Sequence, residues 1–238
     1  MSPQRSGDRA ADELRPTTIE PGFVRTATGS ALISCGETRV ICTASVQESV
    51  PRWMAGHGRG WLTAEYGMLP ASTGDRKQRD VSKGRPDGRT VEIQRLIGRS
   101  LRGVIDFQAL GERTIYVDCD VLQADGGTRC ASISGAWVAA ARALGKAGLS
   151  RALPESVAAV SLGIVGGELL LDLDYVEDSG AEVDLNVVMT GDERLVEVQA
   201  TAERATFDRE QLDELLDLGA AGIATIRAAQ EAALDAAP

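Results

Sequence analysis

Three groups of residues in this 238-residue chain have the types and spacing for chemistry on a phosphorylated ligand. The first is the corner Gly126-Gly127-Thr128-Arg129, in the stretch LQADGGTRCASISGAWVAAARALG. Paired glycines let a backbone reach φ > 0 and pass close to a ligand. The residues that follow are good helix formers, so the corner opens onto a helix N-terminus, whose unpaired N–H groups attract anions. Thr128 adds a hydroxyl and Arg129 a forked cation. A plain strand-to-helix turn with a surface arginine has the same composition. No GxxxxGK[ST] pattern is present, so this is not a P-loop. The second group is Arg89 in PDGRTVEIQR, placed by Pro86 and Gly88 at the start of another helix. Two arginines at two helix mouths can clamp one phosphate. The third is Asp178 and Asp184 in YVEDSGAEVDLNVVMT. Two carboxylates flanking a Ser-Gly turn suit a hard cation such as Mg²⁺, or acid–base work. Two solvated acids in a loop is the plainer alternative.

The elements that position these groups follow from periodicity. Val40, Cys42, Ala44 and Val46 alternate, and FVRTATGSALISCGETRVICTASV reads as two strands joined near Gly36. Residues 51–89 are Gly-rich, basic and weakly periodic, and read as one long loop. In TVEIQRLIGRSLRGVIDF, Ile93, Ile97, Leu101 and Ile105 recur every four residues beside Leu96 and Val104 and predict a helix. Arg95, Arg99 and Arg102 fall on its other face. A strand is expected over 113–123 and a helix over 130–147. Residues 157–176 read as a hairpin across Gly166-Gly167. A second strand pair spans Gly191-Asp192, in which Asp184 and Asn186 face away from Val183, Leu185 and Val187. A long helix covers 208–236. Strand runs separated by helices, with local hairpins, predict an α/β sandwich with a mixed sheet, and two strand-plus-helix halves raise an internal duplication. Residues 1–14 read as a flexible N-terminal segment, leaving 15–238 as a single domain.

Composition removes several classes. His57 is the only histidine, and no GxSxG elbow occurs, so a His-dependent triad is unsupported. The GHGRG run lacks the strand–helix setting of a dinucleotide fingerprint. Cys35, Cys42, Cys119 and Cys130 show no CxxC spacing, and a disulfide framework or zinc site is not expected. Reduced thiols and the absence of an apolar leader or span predict a cytoplasmic protein without membrane contact. Charge is unevenly placed: residues 1–150 hold 20 Lys/Arg and 16 Asp/Glu, net +4, while 151–238 hold 5 and 19, net −14. Within 76–102 there are nine basic and three acidic side chains. That local density fits a polyanion or phosphate ligand, or arginines paired with the acidic half. Arginines and aspartates without histidine are what metal-assisted phosphoryl transfer uses.

The motifs CTASV, GWLTAEYGMLP, GRTVEIQRLIGRSLR, DCDVLQADGGTR, AAVSLGIV, YVEDSGAEVDLNVVMT and VEVQATAE stand in the order and spacing of the ribonuclease PH family, which the chain resembles from about Arg15 to near its C-terminus. The family comprises bacterial phosphate-dependent 3′-to-5′ exoribonucleases that trim tRNA 3′ ends. The resemblance implies duplicated βαβα units of the ribosomal protein S5 domain 2-like fold. It also implies a homohexameric ring built as a trimer of dimers. It implies phosphate-binding roles for Arg89, Gly127, Thr128 and Arg129, and active-site carboxylates at Asp178 and Asp184. It implies that a basic loop at residues 52–79, with Arg52, Arg59, Arg76 and Arg79, contacts tRNA. Arg95 and Arg99 face either the RNA channel or acids across a subunit contact. The implied reaction takes inorganic phosphate as co-substrate, with Asp178 and Asp184 holding Mg²⁺ or moving a proton. It removes nucleoside diphosphates from tRNA precursors, rRNA and other RNA 3′ ends, and runs in reverse to add nucleotides. A catalytically silent RNA-binding ring component and a Mg²⁺-dependent hydrolytic nuclease are the competing expectations.

Overall fold

A computed structural model of the chain describes residues 5–79, 82 and 84–236. The first sheet holds β1 (Thr17–Pro21), β2 (Gly29–Cys35), β3 (Thr38–Gln47), β4 (Trp61–Met68) and β5 (Thr114–Gln123), in the order β1-β2-β3-β5-β4. The β2–β3 turn falls at Gly36, with φ 57°. β4 corrects the reading of 51–89 as one loop. Its buried Leu62 and Tyr66 alternate with more exposed neighbours, and it runs parallel to β5 from Trp61↔Thr114 to Met68↔Val121. Gly60, Gly67 and Pro70 mask that alternation in the sequence.

Parallel neighbours need a crossover. Here it is α1 (Gly88–Arg102) followed by the short α2 (Phe107–Leu110). The Asp87 side chain caps α1 by accepting the Thr90 N–H at 2.7 Å. Ile93, Leu96, Ile97 and Leu101 are buried as the four-residue spacing predicts. The helix is shorter than expected: it closes at Gly103, and Asp106 caps α2 afresh through the Gln108 and Ala109 N–H groups. Val104 and Ile105 still reach the core from the connection.

The second sheet holds β6 (Val157–Val165), β7 (Glu168–Leu171), β8 (Val183–Thr190) and β9 (Leu195–Ala202), in the order β7-β6-β8-β9 and antiparallel throughout. Helix α3 (Thr128–Lys146) lies between the sheets and packs on β2, β3 and β6. It is buried without a break from Cys130 to Ala140. Its small residues permit this: a Cβ at Gly135 would stand 2.8 Å from both Cys42 Sγ and Ile33 Cγ2. Helix α5 (Arg209–Asp235) starts with a capping box between Asp208 and Gln211 and covers the other face of β6. The expectation of α/β layers with a mixed sheet holds in the first sheet; the second is purely antiparallel.

Two local readings change. β7 stops at Leu171, because Asp172 takes φ 56° and Asp174 opens the short helix α4 (Tyr175–Gly180) through a capping box with Glu177. The segment read as flexible, 1–14, is tied down from Arg5 onward; residues 1–4 lie outside the described residues. Arg5 is buried and donates from Nε to Glu177 Oε1 at 2.7 Å and from Nη2 to Leu171 O at 2.6 Å. Arg9 Nη2 reaches Glu177 Oε2 at 3.3 Å.

Arg15 closes this network. Its backbone N–H, Nε and Nη2 all donate to the Asp172 carboxylate, at 2.8, 3.0 and 2.6 Å. Burial, the largest influence, pulls the Arg15 guanidinium down, and the hydrogen bonds and charge of Asp172 more than restore it. Breaking a buried pair strands a charge. Asp172→Asn keeps a side chain that tolerates positive φ but loses the charge, and should destabilise the fold by about 3–5 kcal/mol in urea unfolding. A loss below about 1 kcal/mol would show that the pair is not what holds this junction.

Candidate functional site

β5 runs into the Gly126-Gly127 corner, and both glycines are left-handed, at φ 74° and 65°. Neither position accepts a side chain. A Cβ at Gly126 would sit 2.6 Å from Leu173 O, and one at Gly127 would sit 3.1 Å from Arg15 Nη2. The buried Thr38 hydroxyl fixes the approach by donating to Gly126 O at 2.7 Å and accepting the Asp125 N–H at 2.8 Å. Gly127 is the N-cap of α3 and supplies no side-chain cap. The first-turn N–H groups of a long helix therefore face outward from the corner, as an anion site requires.

The corner is one wall of a cavity of about 50 Å³ lined by Arg89, Gly127, Thr128, Arg129, Ser161, Asp178, Asp184 and Asn186. The sequence-predicted phosphate residues and both carboxylates thus meet in one place. α1 delivers the exposed Arg89 and α3 delivers Thr128 and Arg129. β8 brings Asp184, and α4 brings Asp178. Behind them, Tyr66 Oη and Thr128 Oγ1 lie 3.0 Å apart and share a hydrogen bond. Arg129 Nη1 donates to Gln199 Oε1 at 2.6 Å and to Glu92 Oε1 at 3.2 Å, and Gln199 Nε2 donates to the same Glu92 oxygen at 2.9 Å. These contacts use one nitrogen and hold the guanidinium plane, so Nε and Nη2 remain to meet a ligand.

The two carboxylates differ in environment. Asp184 is half-buried, and its pKa is pushed up to about 6, first by desolvation and then by Asp178, against the pull of Arg129 and Arg89. Asn186 Nδ2 lies 3.3 and 3.4 Å from its two oxygens. Asp178 stands at the exposed rim. Its pKa is also raised, first by desolvation, while Arg89 and Arg129 lower it. One group poised to hold or release a proton near neutrality, beside a second carboxylate and two guanidinium groups, can serve charge stabilisation and proton transfer together.

The basic residues expected at RNA divide. Arg52, Arg59, Arg76, Arg79 and Arg95 are exposed and lie outside the cavity wall. Arg99 is committed within the chain: its Nε bonds Glu197 Oε2 and its Nη2 reaches Glu197 Oε1 at 2.8 Å. Of the partners expected for Arg99, RNA or an acid, the chain itself supplies an acid, on β9 in its own acidic half. Sequence reasoning missed Ser161, Asn186, Glu92 and Gln199 at the site. Ser161 had a signal, as the single hydroxyl inside the apolar run AAVSLGIV. Glu92 and Gln199 had none, because their role depends on α1 and β9 meeting.

The sequence matches the model described as 3′ exoribonuclease family, domain 1, over residues 13–144, and that described as domain 2 of the same family over residues 155–222. Among solved structures, a chain of the Archaeoglobus fulgidus exosome with RNA bound to the active site is 25% identical, with a TM-score of 0.78, covering 94% of this chain and 92% of that one. Rice (Oryza sativa) Rrp46 is 19% identical, with a TM-score of 0.79, covering 97% and 100%. A chain of an archaeal exosome core is 24% identical, with a TM-score of 0.75, covering 96% and 91%. The last two likenesses speak to the fold alone. The first family match carries the Gly-Thr-Arg corner and Arg89, the second carries Asp178 and Asp184, and the cavity forms where they meet: the chain belongs to the 3′ exoribonuclease family.

Proposed function

We propose that this chain shortens RNA from the 3′ end by phosphorolysis, with tRNA precursors and rRNA as substrates, in the cytoplasm. The observation that carries this reading is the single cavity in which an uncapped helix N-terminus, two arginines and two carboxylates converge. Inorganic phosphate sits against Arg89 and the Gly127–Arg129 corner, which offset its repulsion by the RNA backbone. A phosphate oxygen attacks the phosphorus of the terminal phosphodiester. The bond to the 3′ oxygen breaks, that oxygen takes a proton, and a nucleoside 5′-diphosphate leaves. Asp184, its pKa raised to about 6 by desolvation and by Asp178, can supply that proton. Bond energies on the two sides are similar, so the reverse addition of nucleotides also runs. The Archaeoglobus fulgidus relative, whose active site holds RNA, supports RNA as the polymer.

The donor set fits Mg²⁺. Asp178 and Asp184 are two hard carboxylates, and among the described residues no cluster of three or more His, Cys, Asp or Glu side chains could enclose a metal. Mg²⁺ is commonly held by one or two carboxylates, with substrate phosphate and water completing its shell. Bound there, it would neutralise phosphate charge. Arg52, Arg59, Arg76, Arg79 and Arg95 supply a sequence-tolerant grip on the RNA backbone. The Archaeoglobus fulgidus relative, a chain of an exosome, supports assembly with other chains; we take this chain's assembly to be a homohexameric ring made as a trimer of dimers.

Product identity tests the reading. With 3′-extended tRNA, Mg²⁺ and phosphate, nucleoside diphosphates should appear; monophosphates would mean hydrolysis, and intact RNA would mean a binding role only. Arg129→Ala should raise the KM for phosphate at least about tenfold while tRNA binding persists; unchanged turnover at low phosphate would refute the clamp. Replacing Arg76 and Arg79 together by Ala should weaken tRNA binding and reduce the slope of log affinity against log salt by about 1–2. No change in affinity would make that loop structural.

Asp184→Asn should lower kcat at least about 100-fold with the assembly intact. It also has a signed effect on stability. The Asp184 pKa rises on folding, from 3.8 to about 6, so the native state binds the extra proton and loses stability as pH rises through that window. The Asn variant should therefore match the parent below pH ~4 and exceed it by about 1–3 kcal/mol above pH ~6 in urea unfolding. Equal stability at both pH values would remove the desolvated carboxyl from the account.

A further inference from the structure

One group in the cavity is not explained by the fold. Ser161 lies on β6 opposite Asn186, only 5% exposed, in a run whose other members are apolar. Its carbonyl is satisfied, accepting the Asp172 N–H at 2.7 Å. Its hydroxyl is not: Oγ is buried without a hydrogen-bond partner. Three other buried side-chain atoms among the described residues share that condition, Ser72 Oγ, Arg142 Nε and Gln230 Oε1, and none belongs to a residue lining this cavity. Burying a hydroxyl without a partner costs free energy, and alanine would fill the same place without that cost.

Its polar neighbours are bonded to other groups instead. Asn186 uses its amide nitrogen on Asp184 and accepts from Cys130 Sγ at 3.3 Å on its oxygen. The Thr128 hydroxyl is paired with Tyr66. Ser161 Oγ lies 3.6 Å from the point that a Cβ at Gly127 would occupy, directly beside the left-handed corner. Arg15 Nη2 and Asp172 Oδ1 also border that point, at 3.1 and 3.9 Å, and Ser161, Thr128, Arg129 and Gly127, the N-cap of α3, together line the cavity. Their shared preference is a small oxyanion.

We infer that the Ser161 hydroxyl is a further ligand for the phosphate, donating a hydrogen bond from the floor of the cavity to an oxygen that the arginines do not reach. The inference rests on the phosphorolytic reading and extends it: Arg89 and Arg129 supply charge from the rim, and Ser161 supplies a short, neutral, directional contact from β6. It also accounts for the polar residue in that strand.

Ser161→Ala separates this role from a structural one, because the two predict opposite signs. In phosphate-free buffer the Ala variant should melt at the same temperature as the parent or higher, since an unsatisfied hydroxyl is gone. The rise in melting temperature on adding inorganic phosphate should shrink. In turnover with 3′-extended RNA, its KM for phosphate should rise about tenfold or more, with a smaller fall in kcat at saturating phosphate and an unchanged KM for RNA. Ser161→Cys, of similar size but with a weak donor, should raise the phosphate KM by an intermediate factor, and decides the matter if the Ala variant does not fold. A phosphate KM within twofold of the parent in the folded variants, or a lowered phosphate-free melting temperature alone, overturns the assignment of Ser161. If the parent protein neither releases nucleoside diphosphates nor is stabilised by inorganic phosphate, the phosphorolytic reading itself fails.

Discussion

The carboxylate of Asp172 and the guanidinium of Arg15 meet in the interior, and both sides of the cavity are measured from that meeting. On one side Arg15 Nη1 bonds the carbonyl of Asp125, the residue before the paired glycines. On the other, Asp172 turns the chain at positive φ from β7 toward α4, which carries Asp178. A buried ion pair contributes little net stability, because desolvation cancels most of the attraction. Its value lies in geometry: three donors on one carboxylate leave one arrangement of the two segments. Arg5 and Glu177 repeat the device one layer out, tying the N-terminal segment to the same short helix. A six-residue helix has little intrinsic stability, so α4 depends on these arginines to hold Asp178 in place.

The charge asymmetry has its explanation in the same seam. The basic first part of the chain builds the five-stranded sheet, α1 and α3; the acidic second part builds the four-stranded sheet, α4 and α5. Arg89 and Arg129 come from the first, Asp178 and Asp184 from the second, and the cavity opens where the parts join. The arginine-rich stretch divides accordingly. Arg99 pairs with Glu197 across the seam, whereas Arg89 lines the cavity. A pocket with two cations and two carboxylates carries little net charge, so the phosphate we propose there would be received by direction more than by bulk field.

Much of this was legible in the chain. Periodicity located the β2–β3 hairpin, the core stripe of α1, strand β5 and the long C-terminal helix, because burial on one face writes a repeat of two or 3.6 residues. The Gly-Gly-Thr-Arg corner was readable because only glycine suits its backbone. β4 was not, since three glycine or proline residues in and around it obscure the alternation. The N-terminal anchor was not, because Arg5 and Arg9 resemble solvated residues until Glu177 is brought to them. The end of α1 at Gly103 and the birth of α4 after Asp174 were set by caps, which short-range hydrogen bonds decide and hydrophobic spacing does not.

Arg129 shows why the long-range part matters to chemistry. A free arginine side chain samples many rotamers and loses that freedom on binding an anion, which weakens the contact. Here Gln199 and Glu92 fix Nη1 in advance, and Glu92 is itself shared between the two donors. The acid beside the guanidinium would lower its pull on an anion somewhat, yet spare the ordering cost when one binds. Charge stabilisation is most effective when the donors already point at the place where charge develops. The β8–β9 pair, by carrying Gln199 beside Asn186, thus places the orienting amide of the cation and the neighbour of Asp184 in one register. A slip of β9 by one residue would turn Gln199 to the opposite face while Asn186 stayed in place, and so part the two.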